Sequence, residues 1–248
     1  MIKEFIKNIA TMSTAPILTQ VLSFFIMPVV ARLYYPDDFG LFAIYASVIG
    51  PIGVFSTMGY STSIIIPKKD SEASNLFSLS LFFTLTIALF SIILIALGDT
   101  LFKSLDLSAL NNYKWLIPIG LLFHGVYMSL RYWNLRKKRF KYITIANVSR
   151  FITNNGLLLV AGFSGFASAI YLILGDILGG IGSVSILNKS VWKDNRSLFV
   201  KNIRIQKMIE VAKTYSKYPK YIMPADFLNQ ILTQMPVYVL SIYFSQNI

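Results

Sequence analysis

Four stretches of this chain, 8–31, 39–67, 73–98 and 227–248, contain no Asp, Glu, Lys or Arg. Each exceeds the ~20 residues that a helix needs to cross about 30 Å of hydrocarbon. A core helix of a large soluble protein can imitate one such run, but not a series of them. Residues 115–130 are also uncharged and are extended by Tyr132 and Trp133, whose rings suit the headgroup level. Between 142 and 188 the only charges are Arg150 and Asp176. That segment is too long for one crossing and divides at Gly162-Phe163-Ser164-Gly165, where two glycines let the chain turn. The pattern predicts six complete spans and a seventh that starts near Tyr221. In lipid every backbone polar group needs an internal partner, and these runs are too long for barrel strands, so the spans are helices. The first run is too long for a cleavable signal peptide, and no small-x-small cleavage site follows it. The expected fold class is all-α, a polytopic membrane helix bundle.

Composition supports this reading through charge. Charged residues make up 14% of the 248, against roughly 25% in a soluble protein. The net charge of +12 would suggest nucleic acid on a soluble chain. Its distribution says otherwise. The basic residues fall in alternate connections: Lys3 and Lys7, Lys68 and Lys69, six from Arg131 to Lys141, and nine between 189 and 220. Those connections hold 19 of the 23 basic residues, and the opposite side holds Arg32, Lys103 and Lys114. Such asymmetry places the N-terminus in the cytoplasm and accounts for the charge without nucleic acid. The chain divides into a six-helix unit, residues 1–188, a basic cytoplasmic loop, 189–220, and a seventh helix, 221–248. Within the loop, Ile205, Met208, Ile209, Ala212 and Tyr215 recur at helical spacing. They predict an amphipathic helix, either on the inner leaflet or packed on the ends of the bundle.

Ionisable residues at bilayer depth are costly and are functional candidates by default. Asp176 lies near the middle of the sixth span and His124 near the middle of the fourth. Arg150 stands about two turns into the fifth, roughly 10 Å from its start at 1.5 Å per residue. Two readings stay open. In one, Arg150 meets an anionic group of a substrate in a watery cavity, while Asp176 and His124 exchange protons or bind a cation. In the other, Arg150 pairs with Asp176 or snorkels to the interface, and His124 makes an interhelical hydrogen bond. Arg32, at the outer end of the first helix, caps that helix or pairs with Asp37 or Asp38. Asp226, about a turn into the seventh span, reaches the interface or the interior. Gly175 and Gly179 have GxxxG spacing, which predicts a close helix contact.

Catalytic patterns are missing. There is no Walker A loop, no cysteine, and no His or Cys cluster to hold zinc. Asp37 and Asp38, beside a proline, read as a loop. No enzyme activity, cofactor or metal is expected.

Four stretches resemble a known family. Ala31-Arg32-Leu33-Tyr34-Tyr35-Pro36-Asp37-Asp38-Phe39-Gly40-Leu41-Phe42 is similar to the segment that follows the first helix of bacterial polysaccharide flippases. The basic run Arg136–Lys141, leading into Asn147, Ser149 and Arg150, resembles their fourth-to-fifth loop. Tyr215-Ser216-Lys217-Tyr218-Pro219 and Gln234-Met235-Pro236 resemble the approach to their seventh helix. The family is the Wzx-type O-antigen and lipid-linked oligosaccharide flippases of the multidrug/oligosaccharidyl-lipid/polysaccharide exporter superfamily. The resemblance implies a MATE-like carrier of two helical lobes around a cavity. It would move an undecaprenyl-diphosphate-linked sugar repeat across the bacterial inner membrane by alternating access, driven by ion gradients. It implies Arg150 and Arg32 as substrate contacts and Asp176 and His124 as coupling residues. The implied partners are the lipid-linked oligosaccharide, membrane lipids, a polysaccharide polymerase and a chain-length regulator, with no nucleic acid. Such carriers usually have about twelve or more spans. With seven, this chain is expected to be the N-terminal lobe plus the next helix, as a truncated product, fragment or partial sequence. The competing expectations are a small-molecule exporter of the same superfamily and an integral-membrane enzyme of polysaccharide assembly.

Overall fold

The structure is a computed structural model. It describes the backbone of residues 2–97 and 110–244, and the side chains of these except 2–12, 193–198, 200–201, 237–238 and 240–244. The expected outer position of Lys103 lies outside the described residues, as do the side chains of Lys3 and Lys7.

Among the described residues the regular structure is entirely helical. The long helices are α1 (Ile2–Leu33), α2 (Pro36–Phe55), α4 (Asp70–Leu97), α5 (Leu116–Arg136), α6 (Phe140–Phe163), α7 (Ala169–Asn202) and α9 (Met223–Phe244). Two short ones, α3 (Tyr60–Ser63) and α8 (Ile205–Thr214), lie between them. All seven predicted spans have a long helix. Four of these, Ser13–Leu33, Pro36–Phe55, Asp70–Leu97 and Ala169–Trp192, are long and apolar enough to cross a membrane. Their lateral surfaces carry Phe24, Phe25, Leu89 and Leu97 exposed. In water such a surface would be an aggregation liability, whereas lipid solvates it. The protein is an all-α polytopic membrane bundle.

Local chemistry sets the boundaries. Pro36 is the first residue of α2, and it forces Tyr35 into an extended conformation that ends α1. Asp37 and Asp38 therefore lie in the first turn of α2 and not in a loop, where their charge suits the helix dipole. The run 39–67 is not one helix, because α2 stops at Phe55 and the chain turns through Met58 (φ 49°) and Gly59 (φ 72°) into α3. The turn between α6 and α7 falls where the glycines predicted it, with Gly165 in the left-handed region at φ 80°.

The largest difference from expectation concerns residues 189–202, read as loop on their charge. They extend α7 to Asn202. Val191 and Phe199 are buried there, and Phe199 packs 4.7 Å from the ring centroid of Trp133 and 5.1 Å from that of Phe77. Burial of this apolar face carries the helix past the end of the uncharged run. Asn75, itself buried, holds the turn into α8: its amide donates to Asn202 O at 3.1 Å, and its Oδ1 accepts from Arg204 N at 3.2 Å. The predicted amphipathic helix is α8. Its Met208, Val211 and Ala212, followed by Tyr215, pack into the core cluster at that end of the bundle, and Ile205 and Ile209 remain exposed.

Both ends of the helical unit are fastened. At one end the basic run makes structural contacts. Arg136 donates to Asp70 Oδ1 (Nη2 2.9 Å, Nε 3.1 Å) and to the carbonyls of Ile64 and Pro67, and Lys137 joins it on Asp70. Arg139 donates to Ser190 O, so one tight turn ties α5 and α6 to the α3–α4 connection and to α7. At the other end the Tyr34–Asp38 segment does the same. Tyr34 Oη donates to Leu158 O at 3.0 Å. The Asp38 carboxylate accepts from Tyr35 N at 3.2 Å and from Ala169 N at 2.7 Å, capping α2 and α7 together. The remaining contacts give the order of packing: α7 lies against α6, α5, α2 and α4; α1 lies mainly on α6; α9 lies on α2.

Candidate functional site

The site sits where α6 and α7 approach most closely. A Cβ on Gly179 would stand 2.9 Å from Arg150 O and 3.1 Å from Arg150 Cγ, and one on Gly175 would strike Asn154 Oδ1. The GxxxG face of α7 therefore admits the backbone of α6, as its spacing predicts. That approach brings Arg150 Nη2 to 2.7 Å from Asp176 Oδ1. Along each helix at 1.5 Å per residue, Arg150 lies about 15 Å from the start of α6 and Asp176 about 10 Å from the start of α7. The pair is thus well inside the apolar thickness.

α5 closes the site from one side. The Arg150 guanidinium lies 5.7 Å from the centroid of the Tyr127 ring, within cation–π reach. Tyr127 Oη donates to Asn147 Oδ1 at 2.7 Å, which fixes the ring against α6. One turn earlier on α5, His124 packs against Gly53 of α2, where an added Cβ would fall 3.0 Å from His124 Cδ2. Tyr45 of α2 approaches from the same direction. It is buried, and its hydroxyl has no hydrogen-bond partner.

The other side is open. A cleft of about 410 Å³ lies between α1 and α6, lined by Pro16, Thr19, Asn147, Arg150, Phe151 and Asn154. Arg150 faces it and Asp176 does not. Asn154 Oδ1 is buried and without a donor. The side chains of Arg150 and Asp176 keep 34% and 27% exposure, so the pair is half-desolvated and its guanidinium has a free side. Chemically, the arrangement can hold an anion against a guanidinium at mid-depth, with a carboxylate in reserve behind it.

Of the residues singled out in the sequence, Arg150, Asp176 and His124 come together. Arg32 does not join them. It is exposed in the last turn of α1, at the end fastened by Asp38, and Asp38 is engaged with backbone amides. Asp226 is exposed on α9. Sequence reasoning missed Tyr45, Tyr127, Asn147 and Asn154. A signal for two of them existed: Asn147, Arg150 and Asn154 are spaced i, i+3, i+7, which puts them on one helix face. Among the described residues no group of three His, Asp or Glu could hold a metal ion.

No curated protein and no solved structure gives a significant match to the chain. A match to the family described as polysaccharide biosynthesis protein runs over residues 5–248. With nearly its whole length covered, and an all-helical membrane bundle as its fold, the chain belongs to the polysaccharide biosynthesis protein family.

Proposed function

We propose that the protein translocates an undecaprenyl-diphosphate-linked oligosaccharide, an O-antigen or capsule repeat unit, across the bacterial inner membrane by alternating access. The observation that carries this reading is Arg150, half-exposed at mid-depth on a cleft that opens between α1 and α6. A diphosphate crossing hydrocarbon needs a cationic, hydrated route, because an isolated charge there costs several kcal/mol or more. Arg150 supplies the positive charge. A polyprenyl tail can stay in lipid beside the exposed apolar face of α1 while the headgroup travels. In this reading α1–α7 form one lobe of a MATE-like carrier and α9 begins the next. The end fastened by Arg136 and Arg139 faces the cytoplasm together with the N-terminus, since the basic connections gather there. Sugar polymerase and chain-length regulator are the expected partners, and no covalent chemistry is assigned to the chain.

Complementation tests the proposal. The full-length gene should restore surface polysaccharide to a strain that lacks its own flippase. Arg150→Ala and Asp176→Ala should each reduce that polysaccharide without lowering the amount of protein in the membrane. Unchanged surface polysaccharide in both variants refutes the assignment of the site, and failure of the unaltered gene refutes the function.

A further inference from the structure

We propose that the basic end of the bundle holds an anionic phospholipid, with one acyl chain in an apolar groove between α4, α5 and α7 and the headgroup against the Lys and Arg residues that follow Asn188. The groove lies apart from the α1–α6 cleft, so neither assignment depends on the other.

The course of α7 makes the groove. α4 and α5 run antiparallel, with Ser80 Oγ donating to Ser129 Oγ at 2.9 Å and Thr84 close to Gly125. Asn75, five residues before Ser80, and Asn134, five after Ser129, therefore stand at one level. It is the level where the uncharged run 73–98 begins, at the edge of the hydrocarbon. Asn134 donates to Leu187 O at 3.4 Å, and Asn75 donates to Asn202 O at 3.1 Å. Leu187 and Asn202 are separated by roughly 22 Å of helix. That length of α7 thus lies across the end of the bundle and does not project from it. On its membrane side is a groove of about 210 Å³, lined by Phe77 and Leu81 of α4, Val126 and Leu130 of α5, and, at its rim, Trp192 and Ile203. Trp192 and Ile203 are 50% and 39% exposed. The groove continues along α4, where Ser78, Phe82, Leu85 and Leu89 share one helix face and the last three are exposed.

The lining selects hydrocarbon. Only Ser78 and Asn188 in it are polar, and Ser78 Oγ donates to Ser74 O of its own helix, so the groove gives water too few partners. The charge beside it selects the headgroup. From 189 to 207 the chain carries Lys189, Lys193, Arg196, Lys201, Arg204 and Lys207 against one acid, Asp194. Lys189, Arg204 and Lys207 are exposed. Such a cluster at a membrane edge attracts anionic lipid. A second copy of the chain packed symmetrically on this face would set the same positive segment against itself. A phospholipid with net negative charge satisfies both parts of the site at once.

Brominated lipid tests the site, because bromine quenches an indole only on contact. The full chain carrying Trp115→Phe keeps two tryptophans, the fully buried Trp133 and Trp192 at the groove. It is placed in phosphatidylcholine nanodiscs containing a small share of lipid brominated on one acyl chain, either phosphatidylglycerol or phosphatidylcholine. Brominated phosphatidylglycerol should quench Trp192 at about tenfold lower mole fraction than brominated phosphatidylcholine. Lys189→Gln combined with Arg204→Gln should cut that preference about fivefold or more, the effect of removing at least one basic residue from the surface of an anionic leaflet. Ser78→Phe, which fills the groove, should leave only the quenching that random contact gives equally with either lipid. Should Ser78→Phe fail to fold, competition in the Trp115→Phe protein decides: unbrominated phosphatidylglycerol should relieve the quenching, and added phosphatidylcholine should not. Equal quenching by the two lipids, a preference untouched by the charge or groove variants, or no relief by phosphatidylglycerol each overturns the inference. Relief by a polyprenyl phosphate at lower mole fraction than phosphatidylglycerol overturns it in favour of an isoprenoid site. Loss of quenching when two copies share one disc overturns it in favour of a protein contact.

Discussion

Replacing Gly179 by Ala tests the contact on which the site depends. The new methyl group would stand 2.9 Å from the carbonyl oxygen of Arg150, inside van der Waals contact. A backbone atom cannot rotate away, so α6 must move from α7 by several tenths of an ångström along the most extensive helix pair in the bundle. Overpacking of this kind costs about 1–3 kcal/mol. Ala in place of Gly returns about 0.4–1 kcal/mol through lower unfolded-state entropy. The net loss is about 1–2 kcal/mol, and at about 2–4 °C per kcal/mol for a chain of this size the Tm should fall by about 2–8 °C. Gly182→Ala is the matched control. Its Cβ would meet only Ser149 Oγ at 3.5 Å and Thr153 Oγ1 at 3.6 Å, ordinary contacts, so the same methyl should be neutral or raise the Tm by about 1–4 °C. Gly175→Ala should fall between them, because the atom it strikes is the Asn154 amide oxygen at the end of a rotatable side chain. Fluorescence-detected size-exclusion chromatography of heated, detergent-solubilised fusions ranks the three. Gly179→Ala as stable as Gly182→Ala would refute the reasoning, since the backbones would then have slack that the distances deny.

Other consequences can be measured in the same preparations. Asp38→Ala removes the cap of two helices at once and should lower stability by about 1–3 kcal/mol, while Tyr34→Phe, which loses one hydrogen bond, should cost about 1 kcal/mol; similar Tm values for both would contradict the double cap. Exchanging the charges, Arg150→Asp with Asp176→Arg, should recover membrane abundance lost in either single variant but not polysaccharide export, because the guanidinium then sits on the wrong side of the pair; restored export would show that only the pair's existence matters. The chain has no cysteine, so a single Cys introduced at Ser164 or at Lys213 gives a clean topology assay. A membrane-impermeant maleimide should label the first in intact cells and the second only after permeabilisation, and the reverse pattern would invert the orientation.

Much of the fold was legible because lipid imposes a one-dimensional rule: a run without charge is a span. The rule located five of the seven long helices; α6 and α7 each carry a charge at depth, and they were told apart in the sparsely charged stretch 142–188 by the glycines at 162 and 165, which located a turn that hydropathy alone could not. It failed where burial within protein took over from lipid. Residues 189–202 are charged enough to read as loop, yet Val191 and Phe199 find Trp133 and Phe77, which belong to other helices and are invisible to a local pattern. Asp38 looked like a loop acid for the same reason, since one of the amides it caps is 131 residues away. At the site, the charged members announced themselves by their expense in lipid. Tyr45, Tyr127, Asn147 and Asn154 did not, because uncharged polar residues are common in membrane helices and acquire meaning only from what they face.

The Asp38 double cap and the Arg136 turn have a mechanical consequence. A bundle riveted at both rims resists shear, so its helices are held against sliding past one another by small increments. Pliancy is left to the two helices that lean on a single side, α1 against α6 and α9 against α2. α1 carries Pro16 at the mouth of the cleft and Pro28 nearer the opposite rim, and each interrupts the ladder of backbone bonds that would stiffen it. One wall of the recess beside Arg150 thus belongs to a helix with two breaks in its own bonding, while the arginine itself stands on the tightly packed side.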